Sequence, residues 1–307
     1  MKAITYSAYG NPLELTEVDE PKIGPDWVKV AVKASSVNPV DWKIGSGGLD
    51  GALDTFFPVT PGWDVAGVVE AVGPAVTTLA PGDEVFGYVR KDAVHGGTYA
   101  QKVSAPIRTV TKKPQSLSFA EAAAVPLAGL TAYQSLVHHL DVKAGETVLI
   151  HAASGGVGLF AVQIARALGL RVLGTASEVN HDYLRALDVV PFTYGDGLVE
   201  RVRAEFPDGV DAVLDLNGSD LAISPGLLAD SSPGRIASVI DPVVKDMGGH
   251  YVFVTPDADD LDALAALADD GKLTVEIAAT FALADAQKAW DLSQEGHTRG
   301  KIVITVD

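Results

Sequence analysis

The chain of 307 residues contains no cysteine. Disulfides, a thiol nucleophile and any zinc site built on thiolates are therefore excluded. Cationic side chains are also scarce: 23 Lys and Arg stand against 40 Asp and Glu, a formal net charge of −17. A field of that sign repels phosphate backbones, so nucleic-acid binding is not expected. Only seven histidines occur, the first at His95, and they form no short-spaced ligand cluster, so no metal is expected. No apolar run approaches the roughly 18 residues of a membrane span. The start, "MKAITYSAYG", lacks the apolar core and small-residue cleavage site of a secretory signal. Together these absences predict a cytoplasmic protein with no membrane partner.

What is present is an ordinary globular composition, 47% hydrophobic, on a chain long enough for two domains. The acidic residues are densest in "TPDADDLDALAALADDGKL". There Leu261, Leu264 and Leu267 share one helical face, which predicts a helix with Asp257, Asp259, Asp260, Asp269 and Asp270 in solvent.

The first third is β-rich, with runs such as "WVKVAVKASSV" and "DVAGVVEAVG" bounded by Gly and Pro turns. The character changes near residue 116. In "SLSFAEAAAV", Ser118 and Glu121 form a capping box at the start of an Ala-rich helix. From Thr147 strands and helices alternate: "TVLIHAA", "GLFAVQIARALGL", "RVLGTAS", "HDYLRALD", "VVPFTY" and onward to "RIASVI" and "YVFV". That alternation predicts βαβ units and a parallel sheet, an α/β fold. The tail "LADAQKAWDLSQEGHTRGKIVITVD" reads as one amphipathic helix and one final strand.

Within "HAASGGVGLF", the stretch Ala153, Ser154, Gly155, Gly156, Val157, Gly158 follows the pattern G-x-G-x-x-G with Ala at its first position. Gly155 would let the backbone approach a pyrophosphate, and Gly158 would let the next helix pack closely on the strand. A helix starting near Val157 would offer its N-terminal amides and dipole to an anion. An apolar strand before and a helix and strand after supply the context that this pattern needs. NAD sites usually carry an acid at the end of the second strand. Here that strand ends "GTASEVN", so Ser177 leaves room for a 2′-phosphate, with His181 and Arg185 as nearby cations and Glu178 as an opposing charge. The expected cofactor is NADP(H).

The segments "SSVNPVDWKIGSGG", "PGWDVAGVVEAVG", "GGTYAQ", "AAAVPLAGLTAYQSL", "HAASGGVG", "RALGLRVLGTAS" and "EGHTRGKIVI" run from residue 35 to residue 304. In them the chain resembles the zinc-independent medium-chain dehydrogenase/reductases, the quinone oxidoreductase and enoyl reductase branch. The resemblance implies a GroES-like β-rich domain over 1–115, completed by 283–307. It implies a Rossmann doubly wound parallel sheet domain over 116–282, with the active site in the cleft between the two. Zinc-using relatives carry a cysteine where this chain has Asn38 and a histidine where it has Trp63. In "GSGGLDGALDTFFP" the resemblance implies a Tyr or Arg where this chain has Gly47, Gly48 and Asp50.

The same resemblance implies roles for particular residues. Asn38, in "NPVD", would lie near the nicotinamide and bond substrate or carboxamide; otherwise it makes an Asx turn before Pro39. Thr131, in "AGLTAY", would meet the nicotinamide end of the cofactor, Tyr194 its phosphate or adenine end, and Phe253 with Val254 would close on the nicotinamide. Asn217 follows the strand "DAVLDL", at the carboxyl end where ligands gather in parallel sheets. Asp41 is a candidate for orienting the cleft, and Tyr99 and His95 are candidate proton donors. In "GHTRGK", His297, Arg299 and Lys301 are candidate cations at the cofactor.

The expected activity is NADPH-dependent hydride transfer, without metal, to a small-molecule quinone or α,β-unsaturated carbonyl. The alternatives are an enoyl-thioester reductase of polyketide or fatty-acid synthesis and a non-catalytic NADPH-binding protein. A homodimer joined edge to edge through "YVFV" is expected.

Overall fold

In the computed structural model, which describes residues 1–296 and 298–307, the chain forms two compact units. One is Met1–Leu130 with Pro256–Asp307; the other is Thr131–Thr255. His297, nominated in the tail motif, lies outside the described residues.

The first unit opens with β1 (Lys2–Thr5), β2 (Glu14–Glu17), β3 (Trp27–Val37), α1 (Pro39–Gly45) and β4 (Asp64–Val72). It continues with β5 (Glu84–Tyr88), β6 (Lys102–Pro106), β7 (Val110–Lys112) and α2 (Phe119–Ala124). The chain passes through α3 (Pro126–Gln134) into the second unit. That unit holds β8 (Thr147–Ile150), α4 (Gly158–Ala167), β9 (Arg171–Thr175), α5 (His181–Ala186) and β10 (Val190–Phe192). There follow α6 (Leu198–Glu205), β11 (Ala212–Asp215), α7 (Ser224–Leu227), β12 (Ile236–Ser238) and β13 (His250–Tyr251). The return to the first unit brings α8 (Ala258–Asp269), β14 (Ile277–Ala282), α9 (Ala286–Glu295) and β15 (Lys301–Thr305).

The main sheet of the first unit runs β14-β15-β3-β4-β5-β7, with β6 also paired to β3. The long strand β3 is its hub. Its first half alternates, with Val28, Val30 and Val32 buried and Trp27, Lys29 and Ala31 only half-buried, as expected of a strand with one face on a core. Its last four residues, Ala34 to Val37, are buried throughout, because β15 has joined as a further partner. Two of those four are serines, so the end of β3 is polar as well as buried.

The boundaries differ from the expected ones after 115 and before 283. Helix α2 packs on β3, β4 and β15, and α8 packs on β7, so both helices belong to the first unit. The small side chains of Ala122, Ala123 and Ala124, fully buried, let α2 lie close to the sheet. Its capping box is formed, with the Ser118 amide donating to Glu121 at 2.9 Å and the Glu121 amide to Ser118 Oγ at 3.3 Å. Helix α8 buries Leu261 and Leu264 as expected, and Asp257 caps it by accepting from the amides of Asp259 and Asp260. Asp260 is buried, not solvated as expected. It lies in the first turn, where the helix dipole favours a carboxylate.

The sheet of the second unit runs β10-β9-β8-β11-β12-β13, parallel throughout. Strand order therefore grows outward from β8 in both directions, and the reversal falls between β8 and β11. Val148, Leu149, Ile150, Val172 and Leu173 are all buried, the continuous apolar pattern of strands covered on both faces. The expected strand "YVFV" is shorter than its sequence suggests. Only His250 and Tyr251 pair, on the outer edge of β12, because β12 is itself three residues long. Phe253 lies beyond the ladder and is 45% exposed.

Leu149, on the innermost strand of this sheet and fully buried, tests whether the second unit depends on that core. Leu149→Ala is expected to cost about 2–5 kcal/mol, read as an earlier urea transition with an unchanged slope.

Candidate functional site

The turn between β8 and α4 is stitched to the end of β9. Ala152 adopts the left-handed region, with φ of 54°. Its amide donates to Thr175 Oγ1 at 3.1 Å, and the Ala153 amide donates to the Thr175 carbonyl at 2.9 Å. A Cβ on Gly158 would lie 2.3 Å from the Ala152 carbonyl oxygen, so only glycine fits where the helix begins. At Gly155 the corresponding distance is 3.2 Å, a close but less absolute constraint. Helix α4 starts at Gly158, one residue after the expected start, and the amides of Leu159, Phe160 and Ala161 donate to the carbonyls of Gly155 and Val157, so the turn runs into the helix without a break. A pyrophosphate is the kind of group that such a turn accommodates.

Behind the turn lies His151, fully buried at the sheet's reversal point. Its Nδ1 is 3.3 Å from Thr175 Oγ1 and its Nε2 is 3.2 Å from Ser224 Oγ. Burial lowers its pKa against the raising influence of Asp220 and Asp215, which favours a neutral ring. The sequence reading treats His151 as a flank; in the structure it pins β8, β9 and α7 together.

The other expected residues of this unit occupy its loops. Ser177 precedes a short turn, and its Oγ accepts from Asn180 Nδ2 at 3.2 Å. His181 opens α5, with Nε2 3.3 Å from the Ala176 carbonyl. Arg185, exposed, is paired with Asp182. Tyr194 is 52% exposed, beyond β10. After β11, the amides of Asn217 and Gly218 donate to Asp215 Oδ1, which shapes that loop end. Thr131 is buried at the start of this unit's share of α3, and its carbonyl accepts from Ser135 Oγ at 2.6 Å. Val254 is half-buried beside the exposed Phe253.

In the first unit, Asn38, Asp41 and Tyr99 come together, with residues that the sequence reading did not place with them. The Asn38 amide donates to Asp41 Oδ2 at 2.8 Å, closing the first turn of α1. Its side-chain Nδ2 donates to Asp64 Oδ2 at 2.8 Å, and its Oδ1 accepts from Lys301 Nζ. Asp64 also accepts from Ser36 Oγ at 2.7 Å and from the Leu127 amide at 2.8 Å. Tyr99, fully buried, donates to Asp41 Oδ2 at 3.0 Å, so this candidate proton donor is committed to Asp41. Asn38, Asp41, Asp64 and Lys301 are all buried.

Burial sets the electrostatics of this cluster. It pushes the Asp41 carboxyl up to about 7, aided by Asp64 and opposed by the Asn38 amide, Tyr99 and Lys301. It raises Asp64 against Lys301, Asn38 and Ser36, and it lowers Lys301 against the two carboxylates. Lys301 emerges as the cation of this cluster. Arg299, its neighbour in the tail motif, is exposed and paired with Glu276 at 3.2 Å, and His95 is exposed. Asp64 and Lys301 had one legible signal each: a charge at the first residue of a mostly apolar strand.

Residues 24–115 match the family described as "Alcohol dehydrogenase GroES-like domain", and residues 176–304 match "Zinc-binding dehydrogenase". The chain is 33% identical over 328 residues to the "Chloroplast envelope quinone oxidoreductase homolog" of Arabidopsis thaliana, covering 99% of this chain and 98% of that one. The chain belongs to the quinone oxidoreductase branch of the medium-chain dehydrogenase/reductases. Human "Quinone oxidoreductase" is 44% identical over 179 residues, 57% of this chain and 53% of its own. The solved quinone oxidoreductase from Coxiella burnetii superposes with a TM-score of 0.87 at 34% identity, covering 100% of this chain and 99% of that one. As a medium-chain dehydrogenase/reductase with a GroES-like domain and a Rossmann sheet, the chain is an oxidoreductase.

The buried cluster predicts an unusual pH profile of stability. Between the ordinary aspartate value of 3.8 and the native value of about 7, folded Asp41 keeps a proton that the unfolded chain has released. Stability therefore falls as pH rises across that window. Asp41→Asn is expected to flatten that fall, measured by urea unfolding from pH 4 to pH 8; an unaltered slope would place the titration elsewhere.

Proposed function

We propose that this oxidoreductase uses NADPH and delivers hydride to a quinone or an α,β-unsaturated carbonyl without a metal ion. The observation that carries the reading is the Ala152–Gly158 turn at the reversal point of a doubly wound sheet, where no Cβ is tolerated at Gly158. Ser154, Gly155, Gly156, Val157 and Gly158 would cradle the pyrophosphate. Ser177, with His181 close behind, supports NADPH, because Thr175, Ala176 and Ser177 stand where a carboxylate would claim a ribose 2′-OH, with the exposed Glu178 as the opposing charge. Tyr194, Asn217, Thr131, Phe253, Val254 and Arg299 are the further residues assigned to the cofactor. When bound, the nicotinamide supplies the hydride.

The donor set speaks against zinc. Asn38 and Trp63 stand where zinc-using relatives carry Cys and His, and the chain has no cysteine. The carboxylates that remain are already served: Asp64 accepts from Asn38, Ser36 and Leu127, and Asp41 from Asn38 and Tyr99. An ammonium, Lys301, supplies the local positive charge. Among the described residues no group of three or more His, Asp or Glu could hold a metal ion.

The residues of the chain then act by position. Asn38, held between Lys301 and Asp64, cannot reorient, and its second Nδ2 hydrogen is the donor assigned to a carboxamide or substrate oxygen. Asp41 fixes Asn38 through its backbone, and Tyr99 fixes Asp41. Catalysis would rest on proximity and on such fixed donors at the developing oxyanion. Water can protonate the enolate or hydroquinone product. A homodimer would use the free edge of β13, and a sedimentation mass of one chain would overturn that assignment.

Anaerobic NADPH oxidation, with NADH in parallel, tests the reading against an ortho-quinone, a para-quinone, an enone and an enoyl thioester. Turnover of a quinone or enone is expected, with NADPH favoured over NADH by about tenfold or more, equivalent to about 1.4 kcal/mol. Turnover of the thioester alone would make the protein an enoyl-thioester reductase; tight NADPH binding without turnover would make it a binding protein. Gly158→Val is expected to lower NADPH affinity by more than tenfold while the first unit stays folded, read by equilibrium titration of cofactor fluorescence.

A further inference from the structure

The first unit contains a cavity of about 600 Å³ that shares no residue with the Asn38 cluster or the glycine turn. That volume is within the range of small-molecule sites. Trp27, Phe56, Phe57 and Pro58 supply apolar and aromatic walls, and Lys91 and Ser104 bring polar atoms to it. Phe56 and Phe57 are 59% and 42% exposed, large apolar surface left beside an opening.

Two buried polar groups here are under-satisfied. Lys91 is 9% exposed; its Nζ donates to the Gly96 carbonyl at 2.7 Å and lies 5.7 Å from the centre of the Trp27 ring. Among the described residues no carboxylate pairs with it. An ammonium carries three donors, and a buried cation without a counter-charge is costly. Ser104 is 2% exposed, and its Oγ has no hydrogen-bond partner among the described residues. Trp27 links them: in the β3–β6 ladder Trp27 faces Pro106 and Lys29 faces Ser104, which sets Trp27 and Ser104 on one face of the sheet, and Lys91 lies over the Trp27 ring.

We propose that this cavity binds a small planar aromatic carboxylate, its carboxylate on the Lys91 ammonium and the Ser104 hydroxyl, its ring against Trp27 and the Phe56–Phe57 pair. A carboxylate fits better than a phosphate, because one buried ammonium and one hydroxyl match a planar monoanion with two acceptor oxygens. Asp19, Lys22 and His95, all exposed, and the Met1 ammonium, which donates to the Val18 carbonyl at 2.8 Å, also line the cavity, and Lys91 is its buried cation. Burial pulls the Lys91 ammonium down to about 8, and a bound anion would raise it again.

Isothermal titration with 2-naphthoate, against its neutral methyl ester, tests the proposal on the whole protein. One molecule of 2-naphthoate per chain is expected to bind, and the ester about tenfold or more weaker, the scale of a hydrogen bond to a charged group. Lys91→Met and Lys91→Gln should each lose tenfold or more, and Ser104→Ala about fivefold. Saturating NADPH should leave the naphthoate affinity unchanged, and Lys91→Met should leave NADPH oxidation unchanged. Equal binding of acid and ester, equal binding by wild type and both folded Lys91 variants, or no binding at millimolar naphthoate would overturn the proposal. Displacement of naphthoate by NADPH would overturn it as well, by moving the ligand to the cofactor site.

Discussion

Two carboxylates and an ammonium buried around one asparagine form the constraint on which the first unit depends. Each charge taken from water costs several kcal/mol, and only mutual attraction and complete hydrogen bonding offset that cost. Asn38 provides much of that bonding, with its amide on Asp41, its Nδ2 on Asp64 and its Oδ1 on Lys301. The four residues come from β4, α1, β15 and the link between β3 and α1. None of these elements can shift without stranding a charge. A slip of β15 by one residue would put Ile302 where Lys301 belongs and turn every side chain of the strand to the wrong face.

The second unit meets a different demand with a different device. Its turn must bring backbone, not side chain, close to a ligand, so space is the limiting quantity. Gly158 provides it at the helix start, and the stitching of Ala152 and Ala153 to Thr175 holds the turn open. Thr175 is thereby used up in structure. The hydroxyl at the strand end that remains for recognition is Ser177, outside the ladder and half-buried.

What could be read in the sequence follows from this contrast. Local devices were plain: the glycine turn, the Ser118–Glu121 capping box, the closing helix and strand, and the apolar runs of strands covered on both faces. The α/β class followed from them, whereas Asn38 became a residue of interest through the family resemblance of "NPVD". Partners far apart in the chain were not legible. Lys301 and Asn38 meet across 263 residues, and a lysine before "IVITV" looks like any strand-flanking charge. Tyr99 invited a reading as an acid because nothing local reveals that its hydroxyl donates to Asp41. Asp260 looked like one more solvated aspartate, since helical periodicity does not report the dipole at a first turn. The packing of α2 was not legible for the same reason: "SLSFAEAAAV" declares a helix but not the sheet against which it packs.

The first unit is assembled from two stretches of chain, one on either side of the second unit. Strand β15 lies between β3 and β14 and carries Lys301, so the sheet and its charge cluster both lack a central member until residues 301–305 are made. During synthesis, the second unit has its whole sequence available while the first is still missing β14, β15 and the buried Lys301 ammonium that faces Asp41 and Asp64. At that stage the nascent chain holds the end of β3 without its β15 partner and the two carboxylates without Lys301, so the first unit closes only after the second has its whole sequence. A truncation that removes β15 would leave the second unit's sheet complete and the first without its keystone.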